Sequence, residues 1–391
     1  MTSLGGRTRT IRAWVLGGLL TSCDCGNSID RASELEPELT ATDVSMSARE
    51  TPSYGDPAAK RDLPDVDPAH LAEGRRMYAQ YCALCHGGQG EGYAADNANA
   101  LNHPKFLAVA SNAFLRDAIA NGRPGTPMSA WSRRSGGPLS GSDIHRLVTY
   151  IRSWQTEPSA ELESGTITGD PERGGALYGQ HCTACHGADG SGITAIGISN
   201  PRFLASASDG YLRYAIEHGR PGTPMPAFKD RFSEPQIRDV VTYIRSWERA
   251  LPTGDPVEDL DLDYGNVVIH PEGADPTLEL REGLYVSSAQ VYRALREGKK
   301  MVLLDARPTS DWHQNHLPGA YPVPFYEMEP MIDALPKDGT MIVAYCACPH
   351  AASGKVVREL RARDFPATAV LDEGIHFWME QGYPVRSGSE P

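Results

Sequence analysis

One stretch of this chain is written twice, and the duplication limits what the chain can fold into more than any other feature. Tyr81-Cys82-Ala83-Leu84-Cys85-His86-Gly87 returns as His181-Cys182-Thr183-Ala184-Cys185-His186-Gly187, 182 − 82 = 100 residues on. Asn121-Gly122-Arg123-Pro124-Gly125-Thr126-Pro127-Met128 returns as His218-Gly219-Arg220-Pro221-Gly222-Thr223-Pro224-Met225, 218 − 121 = 97 residues on. Tyr150-Ile151-Arg152-Ser153-Trp154 returns as Tyr243-Ile244-Arg245-Ser246-Trp247, 243 − 150 = 93 residues on. The shrinking offset leaves the motifs intact and shortens only the loops between them. Each copy is therefore a unit of about 85–95 residues, a little below the usual domain size. A chain of 391 residues then has room for one more domain.

Each copy carries Cys-x-x-Cys-His. The eight cysteines fall at 23, 25, 82, 85, 182, 185, 346 and 348, as four close pairs. That is a ligand or reactive-site pattern and not a framework of long-range bridges. Gly 39 and Pro 30 make the chain rich in loop formers, and small domains of that kind need a metal, a cofactor or disulfides to hold them. Cys-x-x-Cys-His is the attachment signature of c-type haem. Two thiols must reach two vinyl groups on one porphyrin edge, and the next residue must turn its imidazole onto the iron. The rival readings are a zinc site built from two Cys-x-x-Cys pairs and a thioredoxin-like dithiol. A His directly after the second Cys in both copies, each with its own downstream set, argues for haem. The formal net charge of −13 speaks against nucleic acid as a partner and against a polybasic membrane-surface protein.

Residues 67–157 and 169–250 both resemble class I cytochrome c domains. Gly74 and Tyr78 stand eight and four residues before Cys82, and Gly174 and Tyr178 stand likewise before Cys182. The resemblance implies an N-terminal helix, carrying these residues, that crosses a C-terminal helix with the Gly allowing close approach. The C-terminal helices read Ser142–Gln155 and Glu234–Arg249, and Tyr150, Trp154, Tyr243 and Trp247 sit four apart on one face as packing residues. The resemblance also implies two covalently bound haem c groups, attached at Cys82, Cys85, Cys182 and Cys185, with His86 and His186 as axial ligands. The sixth ligands are expected to be Met128 and Met225, in loops stiffened by proline; core-filling methionine is the plainer alternative. His218 competes in the second copy, but its counterpart is Asn121. Arg123 and Arg220 are candidates to pair with haem propionates, or are simply solvated. His103 and His145 have no repeat partner and read as surface residues.

Arg7, Arg9 and Arg12 precede a charge-free stretch from Ala13 to Ser22. As a helix it spans ~15 Å, half of the ~30 Å hydrocarbon core, so residues 1–22 read as a signal peptide and not a membrane span. Leu20-Thr21-Ser22-Cys23 resembles the bacterial lipoprotein box, in which the Cys is acylated and becomes the mature N-terminus. A soluble exported protein cleaved nearby is the alternative. Residues 23–66 are Ser-, Glu-, Pro- and Asp-rich without periodicity and read as a flexible tether.

After a Pro/Asp-rich linker the pattern changes. Apolar runs Met301–Leu304 and Thr340–Tyr345 alternate with helical patterns at Ser288–Glu297, Ser353–Arg363 and His376–Gln381, which predicts a parallel sheet covered on both faces. Asp305-Ala306-Arg307, His316-Leu317-Pro318-Gly319-Ala320, a strand running into Cys346, and Asp372-Glu373-Gly374-Ile375 with Trp378 resemble the rhodanese family in order. The match covers 284–386, leaving 251–283 as linker. In that family the Cys heads an anion cradle between strand and helix and carries sulfane sulfur as a persulfide, a role the resemblance assigns to Cys346. The loop departs from the family pattern: its last residue is Ala351 where Arg is usual, and Cys348 and His350 are extra. Three readings stay open: sulfur chemistry at Cys346 and Cys348, a catalytically silent docking domain, and a metal site of Cys346, Cys348 and His350.

The expectation is thus a multidomain protein, two all-α cytochrome c domains plus one α/β rhodanese-like domain with a parallel sheet. It would be lipid-anchored on the periplasmic side of a bacterial membrane and would pass single electrons between redox partners of a respiratory chain. A sulfane-sulfur donor is a further candidate partner, and persulfide handling at Cys346 with electrons delivered to the haems is the rival function.

Overall fold

The computed structural model describes residues 67–95, 97–251, 264–347 and 350–391. The expected signal peptide, the acylation site Cys23 and the tether lie outside the described residues, as does Cys348.

The first repeat contains helices α1 (Pro68–Tyr81), α2 (Ala83–His86), α3 (Pro104–Leu107), α4 (Asn112–Asn121) and α5 (Gly141–Arg152). The second repeats the order with α6 (Pro171–His181), α7 (Thr183–His186), α8 (Pro201–Ser206), α9 (Asp209–His218) and α10 (Glu234–Arg245). Local sequence sets the starts. Asp67 and Asp170 accept backbone N–H bonds ahead of Pro68 and Pro171, and Ser140 with Asp143 forms a reciprocal cap on α5. The C-terminal helices end three to four residues earlier than their sequence pattern predicts, at Arg152 and Arg245, because the next residues turn back on the last carbonyls.

Within each repeat the first and last helices cross at a glycine. A Cβ on Gly74 would collide with the Arg146 carbonyl and come to 2.9 Å from Tyr150 Cβ; one on Gly174 would collide with the Asp239 carbonyl. The crossing is locked by aromatics. Tyr78 packs on Tyr150 and Trp154 at ring distances of 5.5 and 5.0 Å, and Tyr178 on Tyr243 and Trp247 at 5.5 and 5.1 Å. These are the aromatics that the four-residue spacing assigns to one face.

The two repeats meet through Phe106, Phe114, Phe203 and Tyr211, with Phe114 stacked on Tyr211 at 5.1 Å. Around this core the contacts are reciprocal. His103 Nε2 donates to the Pro221 carbonyl, and Asn200, 97 residues on, donates its amide to the Pro124 carbonyl. His103 is 8% exposed, which corrects the surface reading: its Nδ1 caps α3 by accepting from Lys105 N–H, as Asn200 caps α8, while its other nitrogen crosses to the sister repeat. His145 is exposed.

The third unit is a five-stranded sheet, β1 (Tyr285–Val286), β2 (Val302–Asp305), β3 (Ala320–Pro322), β4 (Ile342–Tyr345) and β5 (Thr368–Leu371), in spatial order β1-β5-β4-β2-β3. Every pairing is parallel, and the strands β2, β4 and β5 are buried throughout, as a sheet covered on both faces requires. Its helices are α11 (Ser288–Arg296), α12 (Thr309–Gln314), α13 (Glu329–Ile332), α14 (Ala351–Ala362) and α15 (Gly374–Glu380). Residues 267–283, read as linker, lie against this unit: Ile269 pairs with Met301, and Arg281 pairs with Tyr285.

Gly74→Ala and Gly174→Ala should each lower the thermal midpoint of unfolding, since forcing a methyl into a filled contact costs ~1–3 kcal/mol. Far-UV circular dichroism against temperature checks this; unchanged midpoints would mean that the helices do not depend on the close approach.

Candidate functional site

In the second repeat the motif residues line one cleft. His181, Cys182, Cys185 and His186 contribute from α6 and α7, Met225 with Pro224 and Pro226 from the proline loop, and Phe203, Ile216 and Ile244 from the apolar interior. Arg220 also lines it, while Arg123 of the first repeat is bound to Asp117 at 3.3 Å and lies 5.4 Å from the Phe114 ring. The sister repeat closes the cleft with Tyr93, Asn99, Ala100 and His103, a contribution that the sequence pattern did not announce.

The motif histidines are oriented alike. His86 Nδ1 donates to the Asn99 carbonyl at 3.0 Å and His186 Nδ1 to the Ile196 carbonyl at 2.9 Å. A carbonyl only accepts, so Nδ1 carries the proton and Nε2 keeps its lone pair for a metal. Burial pulls both imidazoles below their ordinary pKa, with the carbonyl bonds opposing it, so the neutral, ligating form is favoured. Burial pushes the Cys82 thiol up to about 12 and the Cys182 thiol up to about 11. The motif turn is tied down from below: Tyr78 Oη donates to the Gly87 carbonyl at 2.9 Å and Tyr178 Oη to the Gly187 carbonyl at 2.8 Å.

The methionine loops share one internal clasp. Arg123 N–H donates to the Met128 carbonyl, Thr126 Oγ1 donates to the Arg123 carbonyl and accepts from Met128 N–H; Arg220, Thr223 and Met225 repeat all three bonds. Neither Met is fully enclosed; both pack against the core. Two thiols, an oriented imidazole and a thioether bordering one apolar cleft fit a haem attached through sulfur. Among the described residues no group of three His, Cys, Asp or Glu converges as a metal cluster would.

In the third unit Cys346 is 6% exposed at the end of β4, with Sγ 3.2 Å from Ser353 Oγ. His350 adopts φ 77°, is 3% exposed, and donates from Nε2 to the Asp372 carbonyl. That bond turns His350 toward the end of β5. Lys355 Nζ, the nearest cation in the sequence to the position where Arg is usual, sits 5.8 Å from the Phe325 ring.

The third unit also touches the first repeat. Helix α14 packs against α2, the helix of Leu84, Cys85 and His86. Tyr326 packs on Tyr81 at 5.0 Å and on Trp131 at 5.6 Å. Ser129 Oγ donates to Asp311 Oδ2 at 2.7 Å, and Ser310 Oγ donates to the Ala130 carbonyl at 2.7 Å. Desolvation at this junction pushes the Asp311 carboxyl up to about 6, against the pull of Arg307.

Residues 69–151 and 169–244 match the family model described as cytochrome c oxidase, cbb3-type, subunit III, and residues 288–381 match the rhodanese-like domain. Among curated relatives, the cbb3-type cytochrome c oxidase subunit FixP of Azorhizobium caulinodans is 29% identical over 184 residues, 45% of this chain and 59% of the relative. Subunit CcoP of Azospirillum sp. is 24% identical over 192 residues, 45% of this chain and 62% of the relative. The chain thus spans about six-tenths of the length of these relatives. Among solved structures, the reducing HAO-like protein complex Kustc0457/Kustc0458 of Kuenenia stuttgartiensis matches with 21% identity and a TM-score of 0.33, covering 45% of this chain and 96% of that one. The chain is a multidomain protein that joins c-type cytochrome domains, in its two repeats, to a C-terminal rhodanese-like domain.

Proposed function

We propose that this chain is a dihaem c-type cytochrome that passes single electrons, held by a lipid on Cys23 at the periplasmic side of a bacterial membrane. The observation that carries the reading is the duplicated set of two cysteines, a carbonyl-oriented histidine and a clasped methionine, which in the second repeat borders an apolar cleft. Cys82 and Cys85 would bind one haem through thioethers and Cys182 and Cys185 the other. His86 with Met128, and His186 with Met225, would be the axial pairs. The bound haems supply a one-electron iron couple; the protein's part is ligation, burial and orientation. His86 and His186 hold one tautomer, the proline loops hold the thioethers, and the apolar lining excludes water. The relatives are named as oxidase subunits, which supports redox partners in a respiratory chain. Among the described residues no helix is long and apolar enough to cross a membrane.

A second reading adds enzymatic chemistry at Cys346. The packing of α14, which follows the Cys346 loop, on the helix of the first Cys-x-x-Cys-His favours it. Cys346–SH and hydrosulfide would give Cys346–S–SH, one proton and two electrons, one for each haem domain. Cys348, two residues on, would attack the Cys346 sulfur of the persulfide, forming a Cys346–Cys348 disulfide and releasing hydrosulfide.

The mature protein should hold two haems that stay with the chain through acid–organic extraction, because thioethers survive denaturation. Met128→His and Met225→His should each lower the potential of one haem and weaken the far-red sulfur-to-iron absorption, since the soft thioether favours ferrous iron. Extractable haem, or potentials indifferent to both changes, would sink the reading.

For the third domain, treatment with a thiol-bound sulfane donor should add the mass of one sulfur atom to Cys346, and Cys346→Ser should abolish the gain. Stopped-flow haem reduction by sulfide separates the two readings: it requires Cys346 if the domain is enzymatic and ignores Cys346 if the domain only docks a partner.

A further inference from the structure

The two methionine loops are alike on the inside and unlike on the outside. Immediately after the methionine the first repeat reads Ser129-Ala130-Trp131 and the second Pro226-Ala227-Phe228. Ser129 and Ala130 are each 6% exposed, whereas Pro226 and Ala227 are exposed. The cover on the first loop is the third domain. Ser310, fully buried, donates to the Ala130 carbonyl, and Asp311 accepts from Ser129 Oγ, both at 2.7 Å. Trp131 closes the contact against Phe325 and Tyr326 at 6.4 and 5.6 Å. The second loop makes its corresponding aromatic contact within its own repeat, Phe228 on Phe232 at 4.9 Å.

From this asymmetry we infer that Ser310 and Asp311 of the rhodanese-like domain are positioning residues for Met128, fixing the loop that holds the first haem's thioether while the second haem's loop is left to its own clasp. The inference rests on the reading of Met128 as an axial ligand. Two hydrogen bonds reach the two residues directly after the ligand, one to a side chain and one to the backbone, so they restrain where the Met128 Cα lies. A loosened loop weakens the sulfur–iron bond, and weaker thioether ligation lowers the potential. The third domain thereby makes two duplicated haem sites unequal.

The test is spectroelectrochemical titration of the full-length, haem-loaded protein, with far-red absorption recorded alongside. Ser310→Ala combined with Asp311→Ala should lower one potential, reduce the sulfur-to-iron absorption by up to half, and leave the other potential in place. Asp311→Asn retains an acceptor for Ser129 and should restore both properties when Ser310 is intact. Ser129→Ala breaks one of the bonds from the cytochrome side and keeps the question open to refutation if the double variant fails to fold. Unchanged potentials in the folded double variant, or in Ser129→Ala if the double variant does not fold, overturn the inference. Met128→Ala in the same titration separates the two failures. If it shifts one potential while the positioning variants shift none, the ligand stands and the positioning role falls. If it shifts neither, both fall.

Discussion

The cytochrome half of the molecule depends on a contact between two backbones. Gly74 lies against the Arg146 carbonyl and Gly174 against the Asp239 carbonyl, nearer than any side chain permits. That approach lets Tyr78 and Tyr178 reach across to the C-terminal helix with their rings and down to Gly87 and Gly187 with their hydroxyls. The hydroxyl bond anchors the turn that follows each histidine, and the histidine is in turn held by a carbonyl from the loop beyond. Removing the glycine would therefore disturb more than a helix crossing; it would move the floor on which the motif histidine rests.

Much of this was legible in the sequence because duplication supplies its own control. The matched proline loops of Met128 and Met225 predict one loop geometry, and both loops close with the same three hydrogen bonds. The sheet was legible too, since β2 and β4 are short apolar runs of the kind that a doubly covered parallel strand needs. His103 was misread because its counterpart Asn200 is a different residue type. The signal lay in the shared Pro and Phe-Leu that follow both, which mark the same cap on the same short helix. Residues 267–283 follow the Pro/Asp-rich stretch and carry no strand or helix of their own, yet Val267, Ile269, Leu278 and Leu280 pack singly onto the third unit or its flank.

Contacts between distant segments were not legible at all. Ser129 and Asp311 are 182 positions apart, and nothing local marks either as an interface residue. The rhodanese-like loop is an intermediate case. Its strand, its cysteine and its following helix stand where the resemblance places them, yet the anion-binding Arg is absent, Ser353 stands beside the thiol, and His350 is turned onto Asp372. The family pattern therefore carries the position of Cys346 further than it carries the substrate.

The reciprocal bonds of His103 to Pro221 and of Asn200 to Pro124 make the two repeats the covalent equivalent of a symmetric dimer. Fusion and cross-bonding together replace an encounter between two molecules with a fixed separation. In the proposed dihaem protein, exchange between the two haems would then run at a set distance, with a rate governed by driving force and reorganisation. Concentration, ionic strength and viscosity would act where electrons enter and leave the pair.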